Sequence, residues 1–284
     1  MLYHIEKFIL SKKSAGTAAG TTDFYRRILE RFAKTYPDWP PSAEAIEMYM
    51  AARRSEVSQI TANGDFTTIS VFLNWCERRG HLSDNPLKLV EKPRKAKTLP
   101  KPASRQTIRL LFGAIDAVAA TGDTWAIRDR ALFRLAYDTG VRASELCGIT
   151  RDDIDLAADA VYIIRKGGAR QFVFYGPKAG EALREWLIIH PAGEWIFVNQ
   201  HWNRLNRRRV WNILQQWCRI AGIKMSVHQI RHSHATHSLR RGVDIRLVQA
   251  QLGHSSITTT ALYLGADDED RQEAYNKLAP GEDL

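Results

Sequence analysis

Near its C-terminus the chain carries His-Gln-Ile-Arg-His at 228–232, Leu-Gly-His at 252–254 and, nine residues later, Tyr263. Arginine and imidazole groups bind phosphate oxygens, imidazoles also carry protons, and a tyrosine hydroxyl can act as a nucleophile. These residue types together suit chemistry at a phosphodiester.

The local pattern predicts two helices in this stretch. In the first, over 227–241, two histidines and an arginine recur three and four residues apart and therefore share a face. The second covers 244–252, with Asp244 as its N-cap and Gly253 as the left-handed residue that ends it. His254 then follows directly after a helix end.

Each of these residues alone has a more ordinary interpretation. A single helical histidine is more often a hydrogen-bonded structural residue, and Tyr263 alone would be a core aromatic. His228, His232, His234 and His237 also resemble a metal cluster. The zincin motif His-Glu-x-x-His is absent and no cysteine pair is near, so we expect no metal. The functional interpretation rests on the whole set of motifs.

Together these motifs resemble the C-terminal signature of the tyrosine recombinases, the phage integrase and Xer family. The family's other arginine lies in Thr-Gly-x-Arg-x-Ser-Glu-Leu, which residues 139–146 match, and its lysine lies on a β-hairpin, where Lys166 occurs here. The resemblance implies the catalytic residues Arg142, Lys166, His228, Arg231, His254 and Tyr263, with Glu145 and His232 supporting them.

The resemblance implies a site-specific DNA recombinase. Tyr263 would attack a phosphate of double-stranded DNA to give a 3′-phosphotyrosyl bond, the arginines would neutralise the transition state, and Lys166 would protonate the leaving oxygen. Recombination would pass through a Holliday junction without metal, ATP or other cofactor. Four active sites would be needed, which implies a tetramer on DNA with paired inverted-repeat sites.

Other functions stay open at this point. A type IB topoisomerase or a telomere resolvase would use nearly the same active site, but would relax supercoils or make hairpins. A non-catalytic DNA-binding regulator could have inherited the fold, although none of the expected catalytic residues is missing.

The composition indicates a globular protein that binds a polyanion. The chain has 284 residues, 44% hydrophobic and 25% charged, with a net charge of +10. By count, residues 1–99 carry +5, residues 100–266 carry +10 and residues 267–284 carry −5. Three widely spaced cysteines, with neither a signal peptide nor a membrane span, predict a cytoplasmic protein with no membrane contact.

In chain order, the pattern predicts a mainly α-helical fold with a small antiparallel β-sheet. Residues 1–90 predict four or five helices, where the family has a helical, SAM-like core-binding domain. Residues 91–102, with three prolines and five cations, predict a linker. Residues 103–284 predict an α+β catalytic domain that ends in the acidic tail 267–284.

Further cations are predicted to contact DNA. In the linker, Lys95 and Lys97 could lie along phosphates, and a solvated hinge is an equal alternative. Arg204, Arg207 and Arg208 surround the start of a predicted helix, where cations oppose the helix dipole unless phosphates neutralise them. The alternative is that these arginines only keep the protein soluble.

The predicted hairpin departs from the family pattern. Family members commonly have Gly-Lys-Gly followed by further basic residues. Here Arg165 replaces the first glycine, Arg170 falls one place early, and Gln171 occupies the usual arginine position. The resemblance still implies Lys166 as the catalytic lysine and Arg170 as a DNA contact.

The acidic tail is predicted to start a helix at Asp267 that continues to about Leu278. Acidic residues so near Tyr263 would repel DNA, so the tail is expected to point away from it. In the family such a segment often docks on a neighbouring protomer. A tail folded back on its own domain is the alternative.

Overall fold

The computed structural model describes residues 1–94, 102–165, 168–190 and 193–253. The chain divides into two compact units, Met1–Thr98 and Leu99–Leu284. Several predicted site residues lie outside the described ranges: Lys95, Lys97, Lys166, His254, Tyr263 and the tail 267–284.

The first unit is helical throughout its described part. Its helices are α1 (Leu2–Ser14), α2 (Ala19–Thr35), α3 (Ala43–Glu56) and α4 (Gln59–Arg78), followed by a 3₁₀ turn at Pro86–Lys88. Ser42 and Ser58 cap α3 and α4 through their side-chain oxygens. The helices bury an aromatic core that includes Phe8, Phe32 and Phe72.

The second unit combines helices with a small sheet. Its helices are α5 (Arg105–Ala119), α6 (Thr124–Thr139), α7 (Ala143–Leu146), α8 (Pro177–Ile189), α9 (Arg207–Ile220), α10 (Val227–Leu239) and α11 (Ile245–Leu252). The strands β1 (Ile154–Asp155), β2 (Ala160–Ile164) and β3 (Arg170–Phe174) pair antiparallel in the order β1-β2-β3. The predicted fold class, mainly α with a small antiparallel sheet, is confirmed.

Side-chain caps explain where many of these helices begin. The side chains of Ser104, Asp123, Asn206, Ser226 and Asp244 accept hydrogen bonds from backbone N–H groups in the first turn of the helix that follows each. Helix α10 ends at Leu239, two residues before the predicted end. Strand β3 begins at Arg170, which pairs with Ile164 across the hairpin.

Helix α6 lies at the centre of the second unit, against α5, α8 and α10. Its side chains Ala131, Leu132, Phe133 and Leu135 are fully buried. None of the described helices combines the length and apolar character that a bilayer span requires.

The end of α6 positions the segment that follows it. Gly140 closes the helix with φ of 61°, a left-handed conformation that costs residues with a Cβ. An added Cβ would lie 2.6 Å from both His234 Cδ2 and Leu252 Cδ2. Only a glycine therefore lets α10 and α11 pack this closely on the end of α6.

We predict that Gly140→Ala destabilises the protein by roughly 2–4 kcal/mol, because left-handed strain adds to overlap with two packed side chains. Gly122→Ala is the matched control, since Gly122 also has positive φ (84°) but has no atom within 4 Å of an added Cβ. We expect it to cost only about 1 kcal/mol. Denaturant unfolding measures both variants, and equal losses would show that crowding at Gly140 has no effect.

Candidate active site

Arg142 is held by Glu145 at the start of α7. The Arg142 N–H donates to Glu145 Oε2 at 2.8 Å, and Arg142 Nη1 donates to Glu145 Oε1 at 2.8 Å. The Arg142 side chain stays 42% exposed, whereas that of Glu145 is 5% exposed. A buried carboxylate thus orients a guanidinium that solvent, or a ligand, can reach.

Arg231 lies on α10 and is 3% exposed. Its Nη1 donates to the Gly140 carbonyl oxygen at 2.6 Å, and its Nη2 donates to the Leu252 carbonyl oxygen at 2.9 Å. These bonds join the segment before Arg142 to the last turn of α11. The two arginines predicted to be catalytic therefore belong to one connected structure.

Arg165, directly after β2, is a third arginine of this structure and is 9% exposed. Its Nη1 donates to Glu145 Oε2 at 2.8 Å, its Nε to Gln171 Oε1 at 2.8 Å, and its Nη2 to the Gln251 carbonyl oxygen at 2.6 Å. Burial lowers the pKa of Arg165, and Glu145 opposes that shift. In the sequence Arg165 is apparent only as a departure from the family glycine, because its partners Glu145 and Gln251 are distant along the chain.

The hairpin also holds the end of α11. Gln171 Nε2 donates to the Ala250 carbonyl oxygen. Gln251 Nε2 donates to the Phe174 carbonyl oxygen at 2.5 Å, and Gln251 Oε1 accepts from the Phe174 N–H at 3.3 Å. The residue before His254 is therefore fixed against the hairpin.

The last described residue of this segment, Gly253, has φ of 65°, as predicted for the residue that ends α11. A Cβ at this position would lie 2.7 Å from Arg165 Nε. The arginine and the glycine thus occupy adjoining space, and a larger residue at 253 would displace the guanidinium as well as strain the backbone.

His228 and His232 lie one turn apart near the start of α10, with ring centroids 4.2 Å apart in an edge-to-face arrangement. Burial, followed by the charges of Arg231 and Arg142, lowers the pKa of His228. A lower pKa favours the neutral imidazole at neutral pH, which is the form that can accept a proton.

His234 and His237 contact α6. His234 Nδ1 lies 2.9 Å from the Tyr137 carbonyl oxygen, and His237 Nδ1 lies 2.8 Å from the Tyr137 hydroxyl. Burial lowers the pKa of each to about 4. Within the described ranges, no three histidine, cysteine or carboxylate side chains are grouped closely enough to hold a metal ion.

Two of the arginines predicted to bind DNA have partners within the protein. Arg204 Nε donates to the Cys147 carbonyl oxygen at 2.7 Å, with its guanidinium stacked 4.1 Å from the centre of the Trp195 ring. Arg170 Nη2 donates to Asp153 Oδ1 at 2.8 Å. Arg207 and Arg208 are exposed in the first turn of α9.

The described part of the site thus joins α7, the β2–β3 hairpin, α10 and α11. Arg142, Glu145 and Arg231 lie within it, together with Arg165, which was not predicted. Such a cluster, with two cations around one carboxylate and a further buried arginine nearby, suits the binding of a phosphate.

Comparison with known proteins identifies relatives over most of the chain. The phage integrase family model matches residues 106–270. The tyrosine recombinase XerC of Corynebacterium glutamicum is 32% identical over 272 residues, covering 93% of this chain and 87% of that protein. The tyrosine recombinase XerD of Lacticaseibacillus casei is 29% identical over 279 residues, covering 93% and 94%.

Solved structures share the fold. A lambda integrase (75–356) dimer bound to a COC′ core site aligns with a TM-score of 0.77 at 18% identity, covering 91% of this chain and 96% of that one. A lambda integrase tetramer bound to a Holliday junction aligns with a TM-score of 0.75 at 17% identity, covering 90% and 77%.

The buried histidines predict a pH dependence of stability. Histidines of the unfolded chain bind protons near pH 6.5, whereas folded His237 does so only near 4. The unfolded state therefore binds more protons between these values, and stability is lost as the pH falls from 6.5 to 4. We predict that His237→Asn, which can still bond Tyr137, loses about 2 kcal/mol less than the wild type over this range.

The measurement is the unfolding free energy of the wild type and of His237→Asn at pH 7 and at pH 4.5. Carboxylates contribute equally to both proteins, so they cancel when the two losses are subtracted. The groups that face His237 are Tyr137 of α6, Arg105 of α5, and Arg240 and Arg241 after α10. His201→Asn, at an exposed histidine, is the control and should match the wild type. If the stability of His237→Asn and of the wild type changed identically with pH, the lowered pKa of folded His237 would be refuted.

Proposed function

The chain belongs to the phage integrase family and is a site-specific tyrosine recombinase, and on that premise we propose how its residues cleave and rejoin DNA. The observation that carries the proposal is the joining of Arg142 and Arg231, through Gly140 and Glu145, into one cationic structure. The relatives, named tyrosine recombinases over most of the chain, disfavour a topoisomerase, a telomere resolvase or a non-catalytic regulator.

Arg142 and Arg231 bind the non-bridging oxygens of the scissile phosphate and stabilise its pentavalent transition state. Glu145 accepts from the Arg142 guanidinium at Nη1 and from the Arg142 backbone N–H, and two backbone carbonyls fix the guanidinium of Arg231. Because these donors are oriented before DNA arrives, little reorganisation is needed when charge develops. His254 adds a hydrogen bond to a non-bridging oxygen.

Tyr263 supplies the nucleophile. Its oxygen bonds to phosphorus as the bond to the 5′ oxygen breaks, His228 takes the phenol proton with His232 beside it, and Lys166 protonates the leaving 5′ oxygen. The lowered pKa of His228 supports its role as proton acceptor. The phosphotyrosyl bond keeps the energy of the phosphodiester, so a 5′-hydroxyl of the partner strand can attack it and restore DNA.

The remaining assignments concern DNA contact and domain roles. We assign the core-binding role to residues 1–90, the linker to 91–102 and catalysis to 103–284, acting in the cytoplasm on sites with paired inverted repeats. Exposure on α9 supports phosphate contacts by Arg207 and Arg208. The proposed DNA contacts also include Lys95, Lys97, Arg170 and Arg204, the last two through donors that their internal partners leave available.

Replacing Tyr263 tests the nucleophile directly. We predict that Tyr263→Phe binds DNA as tightly as the wild type but forms no covalent adduct, because only the attacking hydroxyl is removed. A nicked suicide duplex incubated with protein in EDTA, followed by denaturing gel electrophoresis, measures the adduct. Adduct formation by Tyr263→Phe would place the nucleophile elsewhere.

We further propose that the protein acts as a DNA-assembled tetramer in which the acidic tail of one protomer docks on the next. A cavity of about 740 Å³ lies between α5, α6, α8 and α10. The charged residues of its lining are predominantly basic, with Arg105, Arg109, Arg134, Lys178 and Arg241 against Asp116 and Asp138. The tail 267–284 carries seven acidic and two basic residues, so its charge complements this cavity.

Deleting residues 267–284 is predicted to leave binding to a single site near the wild-type level. Cooperative pairing of sites should weaken at least about fivefold, because the complementary charge is lost. Arg109→Glu, at an exposed position of the cavity, should reproduce that loss in the full-length chain. Band-shift titration and a recombination assay measure both. Full-rate recombination by the truncated protein would favour a tail folded on its own domain.

A further inference from the structure

The carboxylate of Glu145 is shared by two guanidinium groups. Its Oε1 accepts from Arg142, and its Oε2 accepts both from Arg165 Nη1 and from the Arg142 backbone N–H. The side chains of Glu145 and Arg165 are 5% and 8% exposed. Two cations around one buried anion leave the group with one net positive charge.

Removing Arg165 would change that balance. Glu145 would retain Arg142 as its one cation in this group, and the pair would carry no net charge. A buried carboxylate interacts more strongly with a neighbouring cation than an exposed one does. The charge of Arg142 would then be offset by Glu145 before any phosphate arrived.

The hairpin offers a second position for the same cation. Gln171 pairs with Ile163 across the hairpin, and Arg165 lies two residues after Ile163 on that neighbouring chain segment. Its Oε1 accepts from Arg165 Nε at 2.8 Å. A longer side chain at 171 would therefore reach the space that the Arg165 guanidinium fills. The family pattern described above has glycine at 165 and arginine at 171, whereas this chain has arginine at 165 and glutamine at 171.

We propose that Arg165 is a positioning residue for Arg142, acting through Glu145, and that it supplies from position 165 the cation that the family pattern places at 171. Its function is to keep the Arg142–Glu145 pair positive towards the scissile phosphate. The inference rests on the proposed function, because it needs Arg142 to act on that phosphate.

The test compares cleavage of a charged and an uncharged phosphate. A suicide duplex with a normal scissile phosphodiester is used beside one with a methylphosphonate, which lacks one negative oxygen. We expect Arg165→Gln to form adduct at least about tenfold more slowly on the diester, but within about threefold of wild type on the methylphosphonate. A residue that only supports the fold would slow both substrates alike.

The exchange is tested by Arg165→Gly alone and combined with Gln171→Arg. The single variant should lose at least about tenfold on the diester, and the double variant should return to within about threefold of wild type. Arg184→Gln is the matched control, since Arg184 pairs with Asp159 on the surface, apart from this network. It should cleave both substrates as the wild type does.

Several outcomes would overturn the inference. They are a wild-type diester rate for Arg165→Gln, an equal loss on both substrates, and a double variant no faster than Arg165→Gly. Thermal melting of each variant shows whether it folds, and the methylphosphonate rate shows that a folded variant retains the rest of the site. Failure of the wild type itself to form adduct would instead refute the proposed function.

Discussion

The site depends on one buried carboxylate, that of Glu145. A charge this buried is costly unless it is paired and hydrogen-bonded, and here it accepts from two guanidinium groups and a backbone N–H. Its partners come from α7 and from the end of β2. Because Glu145 accepts from both guanidinium groups, the hairpin and the Arg142 segment are fixed together.

Local features of the fold could be predicted from the sequence because they depend on neighbouring residues. The cap Asp244 and Gly253, which ends α11, act within one turn of their own positions. The start of β3 at Arg170 depends instead on cross-strand pairing with Ile164. The spacing of apolar residues along the sequence does not indicate which residues pair across strands.

The site was less predictable because its contacts join residues that are distant in sequence. Arg142 and Arg231 were identified through motifs, but Arg165 is buried by Glu145, 20 positions away, and by Gln251, 86 positions away. Spacing alone could not separate the catalytic from the structural histidines among the four on α10. In the structure His234 and His237 contact Tyr137 of α6. The roles of Lys166, His254 and Tyr263 stay predictions, since these residues lie outside the described ranges.

The contact between Arg165 and Gly253 links two positions in evolution as well as in space. A Cβ at 253 would lie 2.7 Å from Arg165 Nε, so a side chain there would require the guanidinium to move from the bonds that hold it. With an arginine at 171 instead of 165, the overlap with a side chain at 253 would differ. The positive φ of residue 253 would still favour glycine. A larger residue at 253 would therefore disturb the structure less once Arg165 had been replaced by a smaller residue.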